Sequence, residues 1–273
     1  MSEHPIAERA GRLLLYLAVA LVNLPVLVVV LNAFKNEADM ASHELLPSGL
    51  TLDNFEIVRD SSLGTWMVNS FVVAGCGTLI AVTAAIFGGY ALSRFRQRGL
   101  EGWSRLLLAV QMVPIVLTLL PLFLVMRRFA LIDSYLGLII IYGAFLLPFS
   151  TWIARSFFDS IPVDLEEAAW MDGCSRVQTL VRVVAPLAAP GLVSIGILCF
   201  ITAWNEYLLA SVFLRSNELL TVGVGLQLFS AQLTTQVGPV MAGATVAMIP
   251  SLLVYLVFQR YFVSGALAGA VKG

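Results

Sequence analysis

The chain has 273 residues, 59% of them hydrophobic and 12% charged, with a mean hydropathy of +0.90 and a formal charge of −1. A water-soluble domain carries about twice that share of charge, so a soluble enzyme is excluded, and the near-neutral balance argues against a nucleic-acid partner. Apolar stretches run on for about 20 residues, the length a helix needs to cross a bilayer; they do not alternate as barrel strands do, and the fold class is all-α, a polytopic membrane protein.

Six transmembrane helices are expected, over residues 13–33, 68–92, 106–126, 136–157, 187–214 and 240–262. The first has no clear small-residue cleavage site and is longer than a signal core, so it reads as an uncleaved anchor. After it, 36–67 contains Leu46-Pro47-Ser48 and Leu52-Asp53-Asn54-Phe55, turn signals of a compact loop with short helices. Pro25, Pro114, Pro121, Pro148 and Pro250 fall within spans. Each removes a backbone donor and tends to kink its helix; tight packing and a need to bend both account for them. The last loop, 215–239, is too apolar for a free linker and is expected to pack on the protein or on a partner.

Positive charge orients the spans. With both termini on one side, that side holds Arg9, Arg12, Arg94, Arg96, Arg98, Arg105, Arg155, Arg176, Arg182, Arg260 and Lys272. Lys35, Arg59, Arg127, Arg128 and Arg215 fall on the other, eleven against five. The termini are therefore expected in the cytoplasm, together with the one long polar stretch between spans, 164–186.

That stretch, DLEEAAWMDGCSRVQTLVRVVAP, reads as helix, glycine turn, helix. Asp164 with Glu167, and Ser175 with Gln178, have capping-box spacing. Gly173 suits a helix C-terminus, where glycine enters the left-handed region without strain. Val177, Leu180, Val181 and Val184 recur at helical spacing as one apolar face, and Pro186 ends the helix or kinks the chain into the next span.

Cys76, Cys174 and Cys199 are isolated and read as filler in packed helices; His4 and His43 are too few for a metal site. There is no G-x-x-x-x-G-K-[ST] loop, no G-x-S-x-G and no zinc pattern. Glu206 is the one strong acid within the spans, beside Trp204, Asn205 and Tyr207. An ionisable group at that depth should face the bundle interior or water, either as a ligand contact or as part of a gate.

Glu167, Ala168 and Ala169, then Gly173, Val183 and Pro186, resemble the EAA signature of permease subunits in binding-protein-dependent ABC importers. The departure is Ala185, where the family usually has a larger aliphatic residue. Trp204-Asn205-Glu206-Tyr207 is similar to the W-N-[DE] element of carbohydrate-importer permeases, and the ending Gly269 to Gly273 is similar to the tail of the second permease subunit in maltose-type systems. The resemblance covers the whole chain and implies a type I ABC importer permease fold, in a bacterial or archaeal plasma (inner) membrane. It implies an N-terminal helix and loop over 1–66, a core permease domain over 67–263 with the coupling hairpin 164–186, and a cytoplasmic tail over 264–273. Glu167, Ala168, Ala169, Met171, Asp172 and Gly173 would couple to the ATPase, with Val271, Lys272 and Gly273 reaching it from the tail. Trp204, Asn205, Glu206 and Tyr207 would belong to the substrate path or a gate.

Implied partners are a second, different permease subunit, two ATPase subunits, an extracytoplasmic solute-binding protein, a sugar substrate and membrane lipid. No metal and no cofactor is expected in this chain, and no enzymatic activity: ATP and Mg would be bound by the ATPase. Glycerol phosphate or a polyol remains an alternative cargo for the same architecture. An ATP-independent secondary transporter or channel would leave the hairpin unexplained, and an intramembrane enzyme would need a convergent catalytic set that Glu206 alone does not make.

Overall fold

The structure, a computed structural model, describes residues 5–42, 48–95, 98–233 and 236–270, with side chains described over 11–40, 48–95, 99–100, 102–233 and 236–259. Every regular element among them is a helix. In chain order these are α1 (Pro5–Ala33), α2 (Glu37–Ser42), α3 (Asp53–Arg59), α4 (Leu63–Arg94), α5 (Arg98–Gln111), α6 (Ile115–Arg128), α7 (Tyr135–Asp159), α8 (Asp164–Met171), α9 (Arg176–Thr179), a π-helical turn (Leu180–Val184), α10 (Ala185–Leu187), α11 (Ala189–Trp204), α12 (Leu208–Phe213), a 3₁₀ turn (Asn217–Leu219), α13 (Val222–Gln232) and α14 (Val237–Ala270). A helix satisfies its backbone internally, which is what lets long apolar runs lie in lipid.

Among the described residues four helices are long and apolar enough to cross a membrane: Gly11–Ala33, Leu63–Arg94, Tyr135–Asp159 and Val237–Gln259. Counting each of two bent pairs as one span brings the number to six, and both pairs correct the expected spans. The third span is broken between Gln111 and Ile115, where α5 and α6 meet at 103°; Pro114 there is extended, with φ −57° and ψ 126°. The fifth bends by 80° between Leu187 and Ala189, and its helix stops at Trp204, ten residues short of the expected end at 214. Pro186 does not end its helix; the bend follows at Ala188. A proline ring collides with the carbonyl four residues back in a regular α-helix, and the π-turn just before Pro186, with Ala185 N–H bonded to Leu180 O, widens that ladder. Pro25, Pro121, Pro148 and Pro250 lie inside helices that continue past them.

Contacts divide the chain into two units, Met1–Gly64 with Leu226–Ile249 and Thr65–Gly225 with Pro250–Gly273. In the first, Asn54 Nδ2 donates to Ala33 O at 3.0 Å and Lys35 O at 2.8 Å, which ties α3 to the end of α1. The rings of Phe34 and Phe55 pack 4.9 Å apart. The expected short helices of this loop are α2 and α3; Pro47 lies outside the described residues. Within its own unit, the most apolar window of α1 is uncovered among the described residues.

The second unit is built on α4 and α7, whose backbones meet through small residues, as membrane helix pairs do. A Cβ on Gly77 would lie 2.9 Å from Tyr142 Cβ, and one on Gly89 would lie 2.8 Å from Ala154 Cβ. Tyr142, Phe158, Phe213, Leu138 and Ile195 fill its centre. Cys199 is buried there, but Cys76 on α4 is exposed on the helix surface rather than packed inside.

Candidate coupling hairpin and the break after Trp204

The hairpin is held by its own backbone. Gly173 has φ +86°. Its N–H bonds to Trp170 O at 3.0 Å and the next N–H, of Cys174, to Ala169 O at 3.0 Å, the pair of bonds that closes a Schellman cap. The second capping box forms as expected: Gln178 N–H donates to Ser175 Oγ at 3.3 Å and Ser175 N–H to Gln178 Oε1 at 2.8 Å. The first does not. Asp164 is already the first residue of α8, Val163 takes the cap position, and no side chain caps the turn. Its three acids, Asp164, Glu166 and Glu167, favour the positive end of the helix dipole instead. The expected apolar face also divides: Leu180 and Val184, four residues apart, are buried, while the neighbouring row of Val177 and Val181 is uncovered.

The EAA residues fall on two faces of α8. Glu167, Ala168, Met171, Asp172 and Gly173 are exposed, Met171 at 89%, whereas Ala169 is buried. Beside Ala169 lies Glu166, fully buried, whose role was not legible in the sequence. Arg94 Nε bonds its Oε1 at 2.5 Å and Tyr90 Oη donates to its Oε2 at 2.6 Å. Arg94, the first of three closely spaced arginines after the apolar run of α4, was the available signal. Arg176 of α9 stacks between the rings of Phe95 and Trp170, 5.3 and 5.0 Å from their centroids.

Trp204 ends α11, and Asn205, Glu206 and Tyr207 occupy the break before α12, inside the expected fifth span. Trp204 is buried and stacks on Phe200 at 5.8 Å. Asn205 Nδ2 bonds back to Ile201 O at 2.8 Å, and Tyr207 is 46% exposed. Glu206 caps α12: Oε1 accepts from Leu209 N–H at 2.7 Å and Oε2 from Ala210 N–H at 3.1 Å. Tyr142 Oη also donates to Oε2, at 2.8 Å. The carboxylate thus sits at a helix N-terminus with three donors. An apolar groove of about 550 Å³ runs beside it, lined by Gln111, Pro114, Thr118, Phe145, Pro148 and Leu209 among others. None of the four expected path residues lines that groove.

At the end of α4 and α7 away from the hairpin, the segment after α12 is pinned by side chains. Asp133 accepts from Arg215 N–H at 2.8 Å and Ser216 N–H at 3.0 Å, and also from Ser216 Oγ. These bonds, the Ser216 hydroxyl first, hold its carboxyl below the usual carboxylate range. Trp66 Nε1 bonds Asn217 O, Asn69 Nδ2 bonds Glu218 O and Leu220 O, and Ser70 Oγ accepts from Val222 N–H. Val271, Lys272 and Gly273 lie outside the described residues. No group of three or more metal-ligating side chains occurs among the described residues.

The family described as binding-protein-dependent transport system inner membrane component matches residues 77–266. The chain is 37% identical to the trehalose transport system permease protein SugB of Mycobacterium tuberculosis, over 92% of each chain. It is 36% identical to the sulfoquinovosyl glycerol transport system permease protein SmoH of Agrobacterium fabrum, over 91% of this chain and 88% of that one. Among solved structures it is similar to a chain of a bacterial ABC transporter involved in import of the acidic polysaccharide alginate, with a TM-score of 0.82 and 28% identity over 96% of this chain and 100% of the other.

Proposed function

We propose, from the premise that this chain belongs to the binding-protein-dependent transport system inner membrane components, that it is one of two permease subunits of an ATP-driven sugar importer. The family places it in the inner membrane as a multi-pass protein. The observation that carries the reading is the capped hairpin: a short, rigid, exposed structure between two apolar crossings, with small residues on its open face. Ala168 and Gly173 admit close approach of another protein, and Glu167 offers a charge to a basic partner. Ala169 is turned inward and seats the helix.

In this reading two ATPase subunits dock on Glu167, Ala168, Met171, Asp172 and Gly173, and the tail residues Val271 to Gly273 reach the same subunits. ATP and Mg are bound there, not in this chain. A second, different permease lines the path, and a solute-binding protein delivers the cargo at the face opposite the hairpin. Residues 215–218, the exposed part of the pinned segment, are its contact surface on this chain, and Glu206 holds the gate that the break after Trp204 creates. Transport is alternating access, with ATP binding and hydrolysis favouring opposite-facing states. A sugar cargo is supported by the relatives, named for trehalose, sulfoquinovosyl glycerol and alginate.

The test is purification through a tag on this chain from its own membranes, identification of the co-purified subunits, and reconstitution in vesicles with the binding protein. Thermal stabilisation of that binding protein by trehalose or maltose, and uptake of the same sugar only with ATP, are expected. Uptake without an ATPase overturns the reading. Stabilisation by glycerol 3-phosphate and by no sugar replaces the cargo.

A further inference from the structure

The hairpin can pass its motion to the membrane helices by two routes. One follows the chain, from α9 through the π-turn to α11, and crosses the 80° bend at Ala188. The other runs through space, from α8 into the end of α4. Helix α8 has only eight residues, too few to be stiff on its own. Its backbone cap joins it to α9, and what ties it to α4 is Glu166. Both carboxylate oxygens are engaged, one by Arg94 and one by Tyr90, and the side chain is fully shielded from water.

Arg94 extends the attachment in both directions. Its Nη2 donates to Ile161 O at 3.0 Å, in the link that leads into α8, and its Nη1 to Ser93 Oγ at 2.9 Å. Ser93 Oγ donates to Asp159 Oδ1 at 2.5 Å, at the end of α7. Asp159 lies 3.6 Å from Arg155, which bonds Ser104 of α5 at 3.3 Å. A buried, paired carboxylate cannot loosen gradually, since no water replaces a lost donor.

We propose that Glu166, rather than the exposed Glu167 of the EAA pattern, is the positioning residue that makes the hairpin and the end of α4 one rigid body, so that displacement by the ATPase enters the membrane through α4 and not around the bend at Ala188. The inference rests on the coupling role proposed above. Glu167 faces outward and serves the partner; Glu166 faces inward and serves transmission. The two adjacent glutamates divide the task between opposite faces of one short helix.

The test is distance measurement between paired spin labels in the assembled complex, with Cys76, Cys174 and Cys199 replaced by alanine. One pair, at Leu79→Cys on α4 and Asp164→Cys on α8, reports the proposed rigid body; a second, at Asp164→Cys and Thr202→Cys on α11, reports the chain route. Each is read without nucleotide and with ATP and vanadate. The first pair is expected to hold its distance between states while the second changes. E166Q, which keeps the size and removes the charge, should widen the first distribution by about twofold and make it nucleotide-dependent, because single-partner loss uncouples a packed network. Y90F should do so less, and it carries the test if E166Q does not assemble. If the second pair responds to nucleotide while the first stays narrow in both variants, or if the first already moves in the parent, the inference is overturned. If neither pair responds, the coupling reading itself falls.

Discussion

Tyr142 of α7 and Glu206, far apart in sequence, share one hydrogen bond of 2.8 Å, and the same carboxylate starts the six-residue helix α12. The acid therefore has a structural task before any ligand arrives. Glu206→Ala removes a helix cap, worth about 1 kcal/mol, and leaves a buried hydroxyl without its acceptor, at about 1–3 kcal/mol. Thermal unfolding of the purified complex should show the loss. Glu206→Gln retains an acceptor and should cost less than half as much. Its half-saturating solute concentration in uptake should equal the parent's; a marked rise would place this side chain on the solute.

Gly173→Val forces a β-branched residue to φ +86°, at about 1–2 kcal/mol or more. The distorted turn should lower ATPase co-purification and uptake together. Ala168→Asp adds a charge on the open face without straining the fold. It should weaken ATPase association while leaving the thermal stability of the isolated chain unchanged. Parent values in both assays for both variants would remove the docking assignment.

The turn after α6 repeats the Schellman pattern of the hairpin with the wrong residue. Leu131 N–H bonds Met126 O at 2.9 Å and Ala130 N–H bonds Arg127 O at 3.1 Å, with Ala130 at φ +54°. Ala130→Gly should relieve the left-handed strain and raise stability by up to about 1 kcal/mol, seen as a higher unfolding temperature. An unchanged or lower temperature would mean that the alanine methyl contributes packing that outweighs its strain.

Asp133 sets a pH dependence. Its carboxyl titrates below the ordinary range when folded, so its contribution is complete above about pH 3.9, the unfolded value, and is lost as pH falls through the lower folded value. Asp133→Asn should destabilise the protein at neutral pH, and the difference from the parent should shrink in acid. Amide exchange over 213–222 should be about tenfold faster in the variant, the equivalent of one lost charge-assisted bond of roughly 1.4 kcal/mol. Equal exchange in both proteins would show that Trp66, Asn69 and Ser70 hold the segment without it.

Local chemistry was legible in the sequence. Gly173 and the Ser175–Gln178 box are set by residues three or four apart, and they appear in the structure as read. The Asp164 box does not form because α8 starts one residue earlier, with Val163 at the cap; which of the adjacent Glu166 and Glu167 faces inward belongs to Arg94, 72 positions away. The prolines show the same limit. Pro148 and Pro114 are alike in sequence, yet α7 runs through the first and the chain breaks at the second. Composition puts the end of the fifth span too late because the apolar run continues through α12, while Glu206 starts a new helix within it.

The break at Gln111 to Pro114 has a consequence for the solvent around this protein. Each helix end leaves backbone groups that its own ladder cannot satisfy, and α6 begins without a side-chain cap. Hydrocarbon offers nothing to such groups. The uncapped start of α6 at Ile115 therefore marks a place that acyl chains do not satisfy: in the assembled carrier it is either wetted or roofed by another polypeptide. The fold thus admits water, or a neighbour, part-way along a crossing that its composition would assign to oil.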